Sequence, residues 1–344
     1  MSRIAIVGAG AFGTALATHA ARLDHEVDLW SHEPRVAEEI GRHHENRSYL
    51  PGIALPRSIR ASGDLAAVVS GARFVLLAAP TQHCRSVAGA LAAHLDRDAI
   101  VIVAAKGIEL RSDLLLSDVL AQALPDHDPK RTVFLSGPSF AREVARGLPT
   151  DVAVASHEGA AAREVAEVLH APLLRLYTSA DPIGVQIGGA IKNVIAIAAG
   201  ACDGLGLGAN ARAALVTRGL AEIARIGVAI GGDPLTFLGM AGAGDLFLTC
   251  SDDQSRNRTL GKKIAEGVDA PKWIASQSSV AEGYHTAAAA HGLARRLGVD
   301  APITEQVYAV CHQGKPLLEA MRDLVTRESK SEVVGISERP PRRA

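Results

Sequence analysis

Apolar and polar positions along the chain follow two different rules. Through the first 180 or so residues, short apolar runs at 3–7, 26–30, 74–79, 100–105, 133–136 and 151–155 alternate with stretches of helical spacing. Several runs are apolar almost throughout, as strands covered by helices on both faces must be. The alternation predicts a parallel α/β sheet. After Asp181-Pro182 strand-like runs nearly vanish. Ala-, Leu- and Ile-rich segments of helical periodicity take over, predicting helices over 182–200, 211–231, 256–267, 282–297 and 304–313. The chain is therefore read as an α/β domain over 1–180, an all-helical domain over 181–326 and a charged tail over 327–344. Pro340, Pro341 and a scarcity of apolar residues mark the tail as disordered.

Composition narrows the class. A length of 344 residues suits two domains, and a hydrophobic fraction of 48% fills two cores. The net charge of -1 gives no sign of a nucleic-acid partner. Cys84, Cys202, Cys250 and Cys311 are far apart, which suggests neither a disulfide framework nor a zinc site and fits a reducing compartment. Gly8 and Gly10 interrupt the N-terminal apolar run too early for a signal segment. The longest apolar stretch, 183–201, contains Gln186, Lys192 and Asn193, so no membrane insertion is expected and the protein is read as cytoplasmic.

The first apolar run leads directly into Gly8-Ala9-Gly10-Ala11-Phe12-Gly13 and then a helical stretch over 14–22. Strand, G-x-G-x-x-G, helix is the order of a Rossmann-type dinucleotide site. Gly8 permits the tight turn, Gly10 lets backbone approach a pyrophosphate, and Gly13 lets helix pack on strand. Free N–H groups at the helix start then receive the anion. The second strand ends Asp28-Leu29-Trp30-Ser31-His32-Glu33-Pro34-Arg35. An NAD-only site places a carboxylate at this strand end. Here Ser31 and His32 occupy the turn and Arg35 follows, which leaves room for a 2′-phosphate, so NADP is permitted beside NAD. The competing reading has Glu33 reaching back to the ribose.

Six further segments carry a resemblance. They are Ala105-Lys106-Gly107, Ser136-Gly137-Pro138-Ser139-Phe140-Ala141, the stretch 184–194 containing Gly188-Gly189-Ala190-Ile191-Lys192-Asn193, Gly208-Ala209-Asn210-Ala211-Arg212, Gly239-Met240-Ala241-Gly242-Ala243-Gly244-Asp245-Leu246, and Ser255-Arg256-Asn257-Arg258. In order and spacing, from about residue 3 to 325, the chain resembles the NAD(P)-dependent glycerol-3-phosphate dehydrogenases. The resemblance implies reversible hydride transfer between sn-glycerol 3-phosphate and NAD(P), giving dihydroxyacetone phosphate, in support of phospholipid synthesis. It also implies a homodimer. Catalytic roles fall on Lys192, Lys106 and Asp245. Substrate contacts fall on Lys106, Gly137, Ser139, Lys192, Asn193, Asp245, Thr249, Ser255, Arg256 and Asn257. Cofactor contacts fall on Gly8, Gly10, Ala11, Phe12, Gly13, His32, Lys106, Ala141, Arg256, Val280 and Glu282. One departure stands out: Ala11 occupies a position where the family often has serine, removing a hydroxyl that would face the pyrophosphate.

The residue types suit the chemistry. Oxidising a secondary alcohol needs a base, stabilisation of the developing oxyanion, and anchors for the phosphate. On a helix Lys192 has Gly188, Gly189, Ile195 and Ala196 as same-face neighbours. Burial there, and Lys106 if near, would lower its pKa, whereas Asp245 would raise it. Paired glycines cost a helix about 1 kcal/mol each, which close approach of substrate or nicotinamide would justify. The competing reading is a lysine that snorkels to solvent. Asp245 alternatively reads as a plain helix cap. Ser255-Arg256-Asn257 opens a helix, where free N–H groups and a guanidinium suit a phosphate, or where serine merely caps. His83 and His285 are read as surface or satisfied residues. The alternative enzyme is a related two-domain β-hydroxyacid or sugar-acid dehydrogenase, and the alternative class is a non-catalytic dinucleotide sensor.

Overall fold

The computed structural model describes residues 1–277 and 281–328. The chain divides into two compact units, one of residues 1–109 and 114–186, the other of residues 110–113 and from Ile187 onward.

In the first unit the strands are β1 (Arg3–Val7), β2 (Glu26–Trp30), β3 (Glu45–Asn46), β4 (Leu50–Ala54), β5 (Arg60–Ser62), β6 (Phe74–Leu77), β7 (Ile100–Val103), β8 (Thr132–Ser136), β9 (Thr150–Ala155) and β10 (Leu174–Ser179). Between them lie α1 (Ala11–Arg22), α2 (Pro34–His43), α3 (Leu65–Val69), α4 (Cys84–Leu91), α5 (Leu116–Ala123), α6 (Ala141–Arg146) and α7 (Ala160–Leu169). Eight strands form one sheet in the order β10-β9-β8-β7-β6-β1-β2-β5, and β3 pairs with β4. In the centre Ile4 sits opposite Val27 on one side and Phe74 on the other, both in parallel register. Ile4, Ile6, Leu29, Leu76, Ile100 and Ile102 are fully buried, as a sheet covered on both faces requires.

Within the eight-stranded sheet, one pairing departs from the parallel expectation. β9 runs antiparallel to β8, with Phe134 opposite Ala155. The helix between them, α6, has six residues and spans about 9 Å, whereas a five-residue strand spans about 17 Å. It is too short to carry the chain back for a parallel return.

The second unit is helical: α8 (Pro182–Gly204), α9 (Gly208–Ala229), α10 (Asp245–Ser251), α11 (Arg256–Ala265), α12 (Ala270–Ser276), α13 (Glu282–Leu297), α14 (Pro302–Gln313) and α15 (Leu317–Val325). The division between units falls within α8, at Gln186 and Ile187. Hydrophobic periodicity misses α10, α12 and α15, because helices of seven to nine residues complete too few turns to display it. By length and composition α8 is long and apolar enough to cross a bilayer, despite its interrupting polar residues, but 89% of its most apolar window is buried in the fold. Arg327, placed in the tail by composition, pairs with Asp300 at 2.8 Å. The tail beyond Glu328 lies outside the described residues.

Candidate active site

In the first unit the glycine loop follows β1. Gly8 takes φ +124°, and a Cβ there would press within 2.8 Å of the Ala78 carbonyl carbon. A Cβ on Gly13 would overlap the Gly8 carbonyl oxygen. These two glycines are demanded by the fold itself. Gly10 is different: a Cβ there would meet nothing within 4 Å. Gly10 is the N-cap of α1, and no side chain caps that helix, which leaves its first N–H groups without a capping side chain. An uncapped helix start with open space at Gly10 fits the pyrophosphate of a dinucleotide.

At the end of β2, the nearby carboxylates are engaged within the protein. Burial works against the charge of Asp28, but Arg60 (2.6 Å) and Arg3 (3.0 Å) hold its carboxyl below the usual carboxylate range. Glu33 accepts a hydrogen bond from the Tyr49 hydroxyl. Ser31 is buried, its Oγ accepting from the Glu33 N–H at 3.2 Å, whereas His32 and Arg35 are exposed.

Lys106, Gly137 and Ser139 come together beside the loop. Lys106 Nζ donates to the Gly137 carbonyl (2.8 Å) and the Ser139 hydroxyl (3.4 Å), and lies 5.8 Å from the centre of the Phe12 ring. Gly137 takes φ +144° because β9 crowds it; a Cβ would sit 2.9 Å from Val152 Cα. Ala141 opens α6.

In the second unit Lys192 is buried rather than snorkelling, at 6% exposure. Its ammonium donates to the Asp245 carboxylate and, at 2.9 Å, to the Thr249 hydroxyl. Asp245 and Thr249 are i and i+4 on α10, hence on one face, and Thr249 Oγ also donates to the Asp245 carbonyl at 2.6 Å. Asp245 does not cap its helix; Gly244 holds the N-cap position. The segment Met240–Gly244 is a π-turn running into α10. A Cβ on Gly188 would strike the Ala241 carbonyl oxygen at once. Gly188 is thus required by the close approach of this turn to α8, not by a ligand. The same approach delivers Asp245 to Lys192. Cys250, next along α10, is no nucleophile, since burial pushes its thiol up to about 12.

At the start of α11, Ser255 is the N-cap, its Oγ accepting from the Arg258 N–H at 3.2 Å. Asn257 is buried and bridges two elements: its Nδ2 donates to Asn193 Oδ1 on α8, and its Oδ1 accepts from the Gly283 N–H on α13, both at 2.9 Å. Arg256 stays exposed as a residue. Burial around its guanidinium lowers its proton affinity, partly offset by Glu282 at the start of α13. Among the described residues no hydrogen-bond acceptor engages that guanidinium, an arrangement that suits an external anion. Val280 lies outside the described residues. His83 is exposed and His285 half-buried.

Sequence reasoning missed Tyr49, which engages Glu33, and Asp203, which accepts from the buried Arg258 guanidinium at 2.6 Å. Asp203 stands three turns beyond Lys192 on α8, a spacing that signals a shared face, but nothing local names its partner.

Comparison with known proteins bears on both units. Residues 3–162 match the family model for the N-terminus of NAD-dependent glycerol-3-phosphate dehydrogenase, and residues 181–322 match the model for its C-terminus. A glycerol-3-phosphate dehydrogenase [NAD(P)+] of a Geobacter species is 46% identical over 332 residues, 96% of this chain and 99% of that protein. One from Myxococcus xanthus is 46% identical over 97% of this chain and 100% of its own. The crystal structure of glycerol-3-phosphate dehydrogenase from Coxiella burnetii superposes with a TM-score of 0.90 at 38% identity, covering 95% of this chain and 99% of that one. The chain belongs to the NAD-dependent glycerol-3-phosphate dehydrogenase family.

Proposed function

We propose that the protein is a dehydrogenase that interconverts sn-glycerol 3-phosphate and dihydroxyacetone phosphate with NAD(P), and so supplies glycerol 3-phosphate for phospholipid synthesis. The observation that carries this reading is the buried cluster of Lys192, Asp245 and Thr249. A lysine withdrawn from water and held by a carboxylate and a hydroxyl is a proton-transfer group with fixed direction.

When bound, the nicotinamide supplies the hydride acceptor or donor. The chain's own residues handle the proton and the phosphate. In the reducing direction the Lys192 ammonium gives a proton to the ketone oxygen; in the oxidising direction its neutral amine takes the proton from the alcohol. Asp245 and Thr249 hold the amine in place throughout. Arg256, at the start of α11, grips the phosphate. Lys106, Gly137 and Ser139 are assigned to the substrate. The dinucleotide is assigned to the loop Gly8–Gly13 with Phe12, Lys106 and Ala141, and domain boundaries at 180 and 326 express the same division of labour. Because Asp28 and Glu33 are engaged by Arg60 and Tyr49, His32 and Arg35 are free to meet a 2′-phosphate, and NADPH is accepted. A cytoplasmic homodimer belongs to the same reading.

The test is a spectrophotometric assay. Purified protein is expected to oxidise NADH or NADPH when dihydroxyacetone phosphate is added, and not with unphosphorylated dihydroxyacetone. Equal rates with both compounds would remove the phosphate anchor, and turnover of a β-hydroxyacid instead would favour the carboxylate-specific alternative.

A further inference from the structure

We propose that Asp203 and Arg258 form a positioning pair that holds the phosphate-binding end of α11 in register with Lys192 on α8. The inference rests on the reading of Lys192 as the proton-transfer group and Arg256 as the phosphate anchor.

The seam between α8 and α11 is built for close approach. On α8, Asn193, Ile197, Gly200 and Gly204 recur at the i, i+4, i+7, i+11 spacing of one helix face. Each meets α11. Asn193 bonds to Asn257. The Ile197 carbonyl lies where a Cβ on Gly261 would be, and the Arg258 carbonyl lies where a Cβ on Gly200 would be. A Cβ on Gly204 would come within 2.5 Å of Ala265 Cβ. Backbone rests on backbone, with no long side chain to absorb a shift. Such a seam fixes the distance between the helices. It leaves sliding along the seam to be resisted by polar contacts.

Beside the Asn193–Asn257 bond, the charged contacts are supplied by Arg258. The residue is 7% exposed and its guanidinium is used on three sides. Nε and Nη2 donate to Asp203 Oδ2 at 3.0 and 2.6 Å, and Nη1 donates to Asp253. Asp203 is on α8, and Asp253 lies in the segment just before the Ser255 cap. Arg258 therefore grips the chain before Arg256 and the helix that carries Lys192. The other oxygen of Asp203 accepts from Arg212 on α9 at 2.8 Å, which holds the carboxylate for the arginine. Lys192 and Asp203, three turns apart on α8, share a face. A change in the Asp203–Arg258 contact is thereby converted into a displacement of Arg256 relative to Lys192. A misplacement of about 1 Å is enough to degrade a phosphate clamp.

The pair touches neither substrate nor reacting atoms, so its loss should weaken anchoring more than chemistry. The experiment compares full-length wild type with Asp203→Asn, Arg258→Met, Arg258→Lys, Arg212→Ala and Arg256→Ala, measuring kcat, KM for dihydroxyacetone phosphate, and the dissociation constant of NADPH. Asp203→Asn and Arg258→Met are expected to raise KM by about tenfold, the size of losing one charge-assisted contact, with kcat within about threefold and NADPH affinity unchanged. Arg258→Lys is expected to recover part of the KM loss, and Arg212→Ala, which only loosens the Asp203 carboxylate, to raise KM less than Asp203→Asn does. A merely structural pair would lower thermal stability and active fraction without raising KM, and that outcome overturns the proposal. So does unchanged KM in Asp203→Asn, the isosteric variant, whether or not Arg258→Met folds. Arg256→Ala separates the two failures. If it raises KM while Asp203→Asn does not, the anchor stands and the positioning role is wrong. If Arg256→Ala itself leaves KM unchanged, the anchor is elsewhere and the positioning role falls with it.

Discussion

Breaking the Lys192–Asp245 pair tests the site where it is most exposed to refutation. The side chains are 8% and 1% exposed, so either substitution alone strands a charge in a place water scarcely reaches. Removing one partner of a buried pair costs about 3–5 kcal/mol. Thr249 remains beside either survivor, but a hydroxyl cannot neutralise a charge. Lys192→Met and Asp245→Asn are each expected to destabilise the helical unit by that amount. The double variant leaves no stranded charge, so it should fall short of the sum by about 2–3 kcal/mol, a coupling expected only of residues in contact. The protein has two tryptophans, Trp30 and Trp273, one in each unit. In a Trp30→Phe background, urea unfolding followed by Trp273 fluorescence reports the helical unit alone, which matters because a two-unit chain need not unfold in one step. Turnover is measured on the same proteins: Lys192→Met should lose about 10²- to 10⁴-fold in kcat, with NADPH affinity kept. Additive destabilisation within about 0.5 kcal/mol, or a folded Lys192→Met enzyme with near-normal kcat, would refute the reasoning.

Arg256→Lys is expected to restore only part of the kcat/KM lost in Arg256→Ala, since it returns the charge without the planar fork; full restoration would make the contact a simple point charge. His32→Ala and Arg35→Ala should weaken NADPH more than NADH, checked by dissociation constants for both cofactors, and equal losses would mean that neither reads the 2′-phosphate. Glu222, fully buried, accepts the N–H groups of Ile303 (2.9 Å) and Thr304 (2.8 Å) at the start of α14. Glu222→Ala leaves both donors unsatisfied and should cost about 2–5 kcal/mol by denaturant titration, with Glu222→Gln costing less. Burial lowers the pKa of His19, His127 and His312 below the ordinary 6.5. The unfolded chain therefore takes up protons that the folded one resists, so stability is intact above about pH 6.5 and declines as pH falls below it. Thermal midpoints should follow that profile, and His19→Gln should flatten it; a profile unaffected by the substitution would assign the decline to other groups.

Periodicity was enough to separate the strand-rich first part from the helical second part. The short-range pattern of Gly8, Gly10 and Gly13 after an apolar strand announces a turn, an anion site and a helix start, because each glycine answers a local backbone constraint. The motifs around Lys106, Lys192, Asp245 and Arg256 carry family likeness for a similar reason, since each is a short stretch of chain with its own geometry. What the linear chain does not display is which of these stretches meet. The residues around Lys192 read as an apolar face and the resemblance names Asp245 beside it, but the packing of the Met240–Gly244 turn against Gly188 is what brings that carboxylate across 53 residues. That Glu33, offered by the sequence only as a competing ribose ligand, accepts from the Tyr49 hydroxyl is likewise invisible in the linear chain. The reversal of β9 against β8 depends on α6 being too short to cross the sheet. Arg258 looks like a neighbour of Arg256 with the same charge, yet one is buried against Asp203 while the other stays available for an anion. Backbone conformation is decided within a few residues and is legible there; burial and charge pairing are decided by contacts between distant segments, which exist only once the chain has folded.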